Sequence, residues 1–272
     1  MNDKSSTTNQ WLRKATAQLE SAGIATARLD CLVLLEDALG KDRSWILAHP
    51  GEHFDALTSE RLNARLERRL KHEPLAYIRG KTEFYGREFT VSAHTLEPRP
   101  ETEDMIDLLK EAWRPGLSII DVGTGSGAIG ITAALEVAAK HVELVDIDKP
   151  ALKIARQNLA KYKLKLKCYY SDLLGACSDD YDVVLANLPY VPDSHTINRA
   201  AMQEPRHAIF GGPDGLDLYR RLFAQVRERP GKPQFVLTEC LPFQHETLAS
   251  IAAEAGYRQK KVESFVQLFE VF

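Results

Sequence analysis

The chain lacks paired cysteines, long apolar runs and any large excess of charge of one sign. Its four cysteines, Cys31, Cys168, Cys177 and Cys240, are scattered with no Cys-x-x-Cys, which argues against both a structural zinc site and a disulfide framework. His49 and His53 stand four apart, a spacing that suits a metal ion on a helix, but Pro50-Gly51 breaks that helix, so no metal is expected. No stretch approaches the roughly twenty apolar residues of a membrane span. At 44% hydrophobic and 27% charged residues, the composition is that of a soluble globular protein. A formal net charge of −3 supplies no global positive field, so neither nucleic acid nor membrane is expected as a direct partner. The first ten residues are polar, without the apolar stretch of a secretory signal, and point to the cytoplasm. There is no internal repeat and no low-complexity tract, and a monomer is the default expectation.

What is present starts with Asp121-Val-Gly-Thr-Gly-Ser-Gly127. The β-branched run from Ser118 to Val122 reads as a strand and Ala128 to Leu135 as a helix, so three glycines lie in the turn between them. Glycine there permits positive φ and lets a ligand approach backbone N–H groups at a helix N-terminus. A second strand, His141 to Asp146, ends in a carboxylate about twenty residues beyond the glycines, where it suits the two hydroxyls of a ribose. No Gly-Lys-Ser/Thr follows the glycines, so a Walker-type triphosphate loop is not expected. A nicotinamide dinucleotide stays open as a ligand on this segment alone.

At 272 residues, two domains are expected. From about residue 10 to 71 the apolar spacing is helical, with breaks at Gly23, Gly40 and His49-Pro-Gly51, and with Thr58-Ser59 as the expected cap of a helix carrying Arg61, Arg65, Arg68 and Arg69. Those arginines read either as a solvated face balanced by Glu60 and Glu67 or as a docking surface for an acidic partner. Thr82 to Val91 reads as a hairpin turning at Gly86, and a domain boundary is placed between about Lys81 and Glu97. Strands are then expected near 118–122, 141–146, 165–170, 181–186 and 234–240, with helices between most of them. Two further strands, from Lys260 to Phe265 and from Val266 to Phe272, could pair as a hairpin. This alternation implies a parallel sheet covered on both faces. In such a sheet ligands sit at the carboxyl ends of the strands, where the glycine turn, Asp146, Asp172 and Asn187 all fall. Asp172 reads either as an acceptor for an exocyclic adenine amine or as a helix N-cap before Leu173-Leu174.

Asn187-Leu188-Pro189-Tyr190 suits a planar amine or amide, whose nitrogen is a poor nucleophile because its lone pair is delocalised. Two acceptors in the plane of an NH₂, the Asn187 side-chain oxygen and the carbonyl of Leu188, would grip both hydrogens and align the nitrogen toward a methyl donor. Pro189 would stiffen the turn and Tyr190 would stack on the planar group. Positioning and stabilisation of developing charge supply the rate, and no general base of unusual pKa is needed.

The combination of Asp121 to Gly127, Val145-Asp146, Ser171-Asp172 and Asn187-x-Pro-Tyr190 resembles the S-adenosylmethionine-dependent amino methyltransferases. The flanking strings Glu73 to Gly80, Phe84 to Phe89, Leu96-Glu-Pro-Arg-Pro-Glu-Thr-Glu103 and Glu204 to Tyr219 resemble the peptide chain release factor glutamine methyltransferases, the HemK/PrmC family, over residues 10–257. The resemblance implies a Rossmann-like α/β fold: a seven-stranded methyltransferase domain over residues 98–272, a β-hairpin linker at 81–97, and a small all-helical substrate-docking domain at 1–80. It implies S-adenosyl-L-methionine at Gly123, Thr124, Gly125, Ser126, Gly127, Asp146, Asp172, Leu173 and Asn187. Asn187, Leu188, Pro189 and Tyr190 become the catalytic residues. The implied substrate is the glutamine of the Gly-Gly-Gln motif in a class 1 release factor, with the Arg61 to Arg69 face as a contact. Methylation of a ribosomal-protein glutamine, or of adenine N6 in RNA, is the alternative.

Two departures from the family pattern stand out. The usual Asn-Pro-Pro-Tyr is Asn-Leu-Pro-Tyr here, which costs little but rigidity if residue 188 contributes only its carbonyl. The C-terminal segment lacks the family's Asp, Gly and Arg-bearing string, and Leu241 replaces a usual glycine, although Glu239 and Gln244 are in place.

Overall fold

A computed structural model describes residues 7–272; the polar start lies, through residue 6, outside the described residues. The chain divides into two compact units, one made of the described residues up to Gly80 with Asn198–Gln203, the other of Lys81–Ile197 with Glu204–Phe272.

The first unit is helical: α1 (Thr8–Ser21), α2 (Ala27–Leu39), α3 (Arg43–Ala48), α4 (Ala56–Leu70) and α5 (Leu75–Arg79). Trp11, Leu19, Leu34, Leu35, Ile46 and Leu62 lead its core. Thr7 and Gln10 close a capping box on α1. The cap of α4 is Asp55, which accepts the Thr58 N–H at 2.7 Å, and not Thr58-Ser59; an aspartate three residues upstream satisfies the same orphan donors. The expected arginine face is also corrected. Arg69 is buried and its Nε lies 2.7 Å from Asp30, while Arg68 is tied to Glu73 at 2.5 Å. Arg61 is exposed and Arg65 half-buried.

The second unit opens with the hairpin β1 (Lys81–Phe84) and β2 (Arg87–Thr90), whose turn residues Tyr85 and Gly86 both have positive φ, as a tight two-residue connection demands. There follow α6 (Glu103–Ala112), β3 (Ser118–Val122), α7 (Ala128–Glu136), β4 (His141–Asp146), α8 (Lys149–Lys161), β5 (Lys167–Tyr170) and β6 (Val183–Ala186). The chain ends with α9 (Asp217–Glu228), β7 (Phe235–Glu239), α10 (His245–Glu254), β8 (Tyr257–Glu263) and β9 (Val266–Val271). β5, β6 and β7 are shorter than the sequence suggests by one or two residues at an end, and β8 begins earlier, at Tyr257, with an irregularity between Gln259 and Lys261.

The seven strands are ordered β5-β4-β3-β6-β7-β9-β8, all pairs parallel except those made by β9. Side-chain alternation divides the core. Ile119, Leu185 and Leu237 pack with α6 and α7 on one face, whereas Ile120, Val184 and Val236 pack with α9 and α10 on the other. Strand order reverses between β3 and β6, so a crevice opens beyond their carboxyl ends. Among the described residues, no helix is long and apolar enough to cross a membrane.

Candidate active site

Backbone geometry builds the first wall of that crevice. Gly123, Gly125 and Gly127 have φ of 72°, 56° and 84°, a region that side-chain-bearing residues rarely adopt. Buried Asp121 holds the turn from below: its Oδ2 accepts the Thr124 hydroxyl at 2.5 Å and the Gly130 N–H at 2.8 Å. A Cβ on Gly130 would lie 2.8 Å from that oxygen, so glycine lets α7 settle onto β3. Burial pushes the Asp121 carboxyl up to about 6, opposed by those two hydrogen bonds. Asp146, at the end of β4, accepts the Gly125 N–H and the Asp148 N–H, each at 2.8 Å. Its carboxyl is also raised by burial, and each oxygen keeps a second lone pair for a ligand hydroxyl.

A cavity runs along this wall, lined by Gly123, Thr124, Gly125, Ser126, Asp146, Asp172, Leu173, Asn187, Leu188 and Pro189, with His94, Leu96 and Ile147 among its other walls. Gly127 and Tyr190 are not on it. Gly127 instead starts α7, where an added Cβ would meet Ile131 and Leu144. Asp172 caps no helix; it sits in a turn with Leu173 at φ 51°, and its carboxylate lies 2.5 Å from Arg221. Tyr190 differs from expectation as well. Its hydroxyl donates to Glu239 Oε1 at 2.9 Å, away from any stacking position on the cavity wall.

Distant segments build the second wall. The Asn187 Nδ2 donates to Thr102 Oγ1 at 3.1 Å, which leaves Oδ1 as the amide's acceptor. Behind the motif lies the fully buried hydroxyl of Tyr219, on α9. It donates to the Glu239 carbonyl at 2.5 Å, lies 3.2 Å from the Ala186 carbonyl, and accepts the Leu188 N–H at 3.2 Å. A proline at 188 has no N–H to give, so leucine gains a hydrogen bond where it loses ring stiffness. Gly211 and Gly215 lie against the Pro189 and Tyr190 carbonyls so closely that a Cβ on either would overlap them. Gln244 Nε2 then bridges the Tyr190 carbonyl at 2.8 Å and the Asp214 carbonyl at 2.7 Å. The linker string is fixed by buried Glu204, which pairs with Arg99 and accepts the Glu97 N–H at 3.1 Å.

Thr102, Tyr219 and Glu239 carry no motif of their own; the only signal for them in the sequence is their place in segments that resemble the family. Away from the crevice, His141, Glu143 and Asp179 cluster with metal-ligand spacing, and the Lys167 ammonium lies 2.7 Å from Glu143 and 3.0 Å from Asp179.

A glycine cradle beside an acid that can take ribose hydroxyls, facing an outward amide oxygen, fits a nucleoside-bearing methyl donor: Gly125 borders open space, and Asp146 has acceptor capacity to spare. The class these features define is that of the S-adenosyl-L-methionine-dependent methyltransferases. A methyltransferase from Pyrococcus furiosus shares the fold, with a TM-score of 0.52 at 18% identity over 76% of this chain and 96% of that one. Residues 10–80 match the PrmC N-terminal domain and residues 101–208 the methyltransferase small domain. Release factor glutamine methyltransferases from Koribacter versatilis and Bacillus subtilis are 37% and 35% identical, covering 83% and 79% of this chain and 84% and 78% of theirs. The chain belongs to the release factor glutamine methyltransferase family, and its cofactor is S-adenosyl-L-methionine.

Proposed function

We propose that the protein transfers a methyl group to the side-chain amide nitrogen of the glutamine in the Gly-Gly-Gln motif of class 1 peptide chain release factors. The observation that carries this reading is the orientation of Asn187, whose Nδ2 is engaged by Thr102 so that Oδ1 is available to an acceptor amide. Family membership supplies the substrate class. When bound, S-adenosyl-L-methionine supplies an electrophilic methyl on a sulfonium. The glycine turn and Asp146 hold the nucleoside. Asn187 Oδ1 and the Leu188 carbonyl take the two amide hydrogens, which fixes the nitrogen in line for attack and stabilises the positive charge that grows on it. Bulk water relieves the methylated amide of its proton, since that nitrogen is strongly acidic.

On this reading residues 1–80 dock the factor, with exposed Arg61 and half-buried Arg65 as contacts, residues 81–97 act as linker, and residues 98–272 carry the chemistry. The enzyme works as a cytoplasmic monomer without a direct nucleic-acid partner, in keeping with its net charge of −3. The test is mass spectrometry of an unmethylated class 1 release factor after incubation with the protein and S-adenosyl-L-methionine. One added methyl group on the Gly-Gly-Gln glutamine is expected; an unmodified factor would turn the assignment toward ribosomal-protein or RNA substrates.

A further inference from the structure

The order of the strand ends fixes which part of a nucleoside falls where. β5, β4, β3 and β6 run parallel side by side, and their carboxyl ends lead in turn to Asp172, Asp146, the glycine turn and Asn187. With the ribose at Asp146 and the methyl group directed to Asn187, the base falls on the Asp172 side. There the turn after β5 is tightly held. The Ser171 hydroxyl donates to the Leu173 carbonyl at 2.7 Å and accepts the Ala176 N–H at 3.0 Å. From α9, Gln225 Oε1 accepts the Leu174 N–H at 2.8 Å, and one turn earlier Arg221 Nη2 donates to Asp172 Oδ2 at 2.5 Å. Both members of that ion pair line the cavity, with 49% and 47% of their side chains exposed. A pair so open to water adds little to stability, so folding does not account for its place on this wall.

We infer that Arg221 is a cofactor-binding residue that, paired with Asp172, reads the adenine of S-adenosyl-L-methionine at two points. Arg221 occupies Oδ2, and Oδ1 takes no hydrogen bond among the described residues, so the carboxylate keeps an acceptor for the 6-amine. A guanidinium has five N–H donors in a planar fork and accepts nothing. Apart from the bond to Asp172, no donor of Arg221 is engaged among the described residues. Adenine offers along its edge a donor, the 6-amine, and ring-nitrogen acceptors to either side of it at N1 and N7. An acceptor and a donor side by side on the cavity wall complement that pattern. A 6-oxo purine would set its oxygen against the carboxylate instead. Half of the base-reading wall is thus supplied by α9, the helix whose Tyr219, two residues earlier, holds the Leu188 N–H.

The inference rests on the cofactor and not on the acceptor, so it stands or falls whatever the protein methylates. Its test is calorimetry with S-adenosyl-L-homocysteine and with the 1-deaza and 7-deaza forms of that ligand, each lacking one ring nitrogen. Arg221→Met is expected to bind S-adenosyl-L-homocysteine about 10-fold more weakly than the parent, the scale of one hydrogen bond from a charged donor. The parent should bind one of the two deaza forms about 10-fold more weakly than S-adenosyl-L-homocysteine. On that form Arg221→Met should lose nothing further, because the contact is already gone. An affinity of Arg221→Met for S-adenosyl-L-homocysteine within twofold of the parent's would overturn the assignment. So would an equal loss on all three ligands, which would mean that Arg221 acts only through Asp172 or the fold. The variant should fold, since an exposed ion pair contributes little to stability. If it does not, the parent alone decides: a deficit on one deaza form supports the two-point reading, and equal affinity for all three ligands overturns it.

Discussion

Each wall of the crevice is organised around one buried carboxylate, and the two are recruited in opposite ways. Asp121 gathers Thr124 and Gly130, three and nine residues away. Glu239 takes the Tyr190 hydroxyl from 49 residues away along the chain, and its own backbone carbonyl accepts the Tyr219 hydroxyl from α9. The cradle is therefore a local object that a strand, a turn and a helix suffice to make. The amide grip exists only where α6, β6, α9 and β7 have come together. Binding and turnover should separate along this division.

The sharpest separation is expected from Asn187→Ala, which removes the outward acceptor: turnover should fall at least about 1,000-fold. Calorimetric affinity for S-adenosyl-L-methionine should barely change, because Asp146 and the glycine amides are untouched. Turnover close to normal would remove the orientation argument.

Asp121 tests the other wall through pH. Burial raises its folded-state value from 3.8 to about 6, so its stabilising contribution is complete below pH 3.8 and is lost as pH rises through about 6. Relative to Asp121→Asn, the parent should lose on the order of 3 kcal/mol across that window, followed by urea unfolding at a series of pH values. A constant gap between the two proteins would show that this carboxylate does not change its charge on folding in that range.

A smaller effect is expected from Asp146→Ala. Losing hydrogen bonds from a charged acceptor to the ribose, and its hold on the Gly125 N–H, should weaken cofactor binding about 10- to 100-fold by calorimetry. If the dissociation constant stays put, the ribose contact lies elsewhere. Smallest is Tyr219→Phe, which leaves the Leu188 N–H and the Glu239 carbonyl without their common partner. It should cost about 1–2 kcal/mol of stability. Turnover should drop more than cofactor affinity, whereas a parallel loss of both would mean that the two walls are not separable.

The same division explains what could be read from the chain. Alternating strands and helices, the two final strands and the glycine turn rest on periodicity and on neighbours in sequence, and the sheet has the expected seven strands. Asp146 and the Asn-Leu-Pro-Tyr segment lie at strand ends, so the sheet brings them to one cavity, apart from Tyr190, which turns to Glu239. Tertiary pairing decided the rest. Arg69 looks like one more surface charge until α2 delivers Asp30 beside it. Asp172 looks like a helix cap in the sequence, whereas in the fold it lines the cavity and pairs with Arg221 from α9. Tyr219 sits in an amphipathic helix with ordinary spacing, and nothing local marks its hydroxyl as the one that meets the carboxyl ends of two strands, β6 and β7. Gly211 and Gly215 are legible as turn residues, but their service as flat surfaces for the Pro189 and Tyr190 carbonyls is not.

The Tyr219 hydroxyl has a further consequence for a chain still being made or beginning to melt. It touches β6 and β7 at once from a helix that lies between them in sequence, so this joint closes only after the middle of the sheet is complete. The cradle needs only β3, α7 and β4. A half-formed protein can thus hold its methyl donor with no means of presenting an amide to it, and on heating, catalysis should disappear at a lower temperature than the strands that carry the donor. Completion of the fold itself acts as the safety catch on a reactive cofactor.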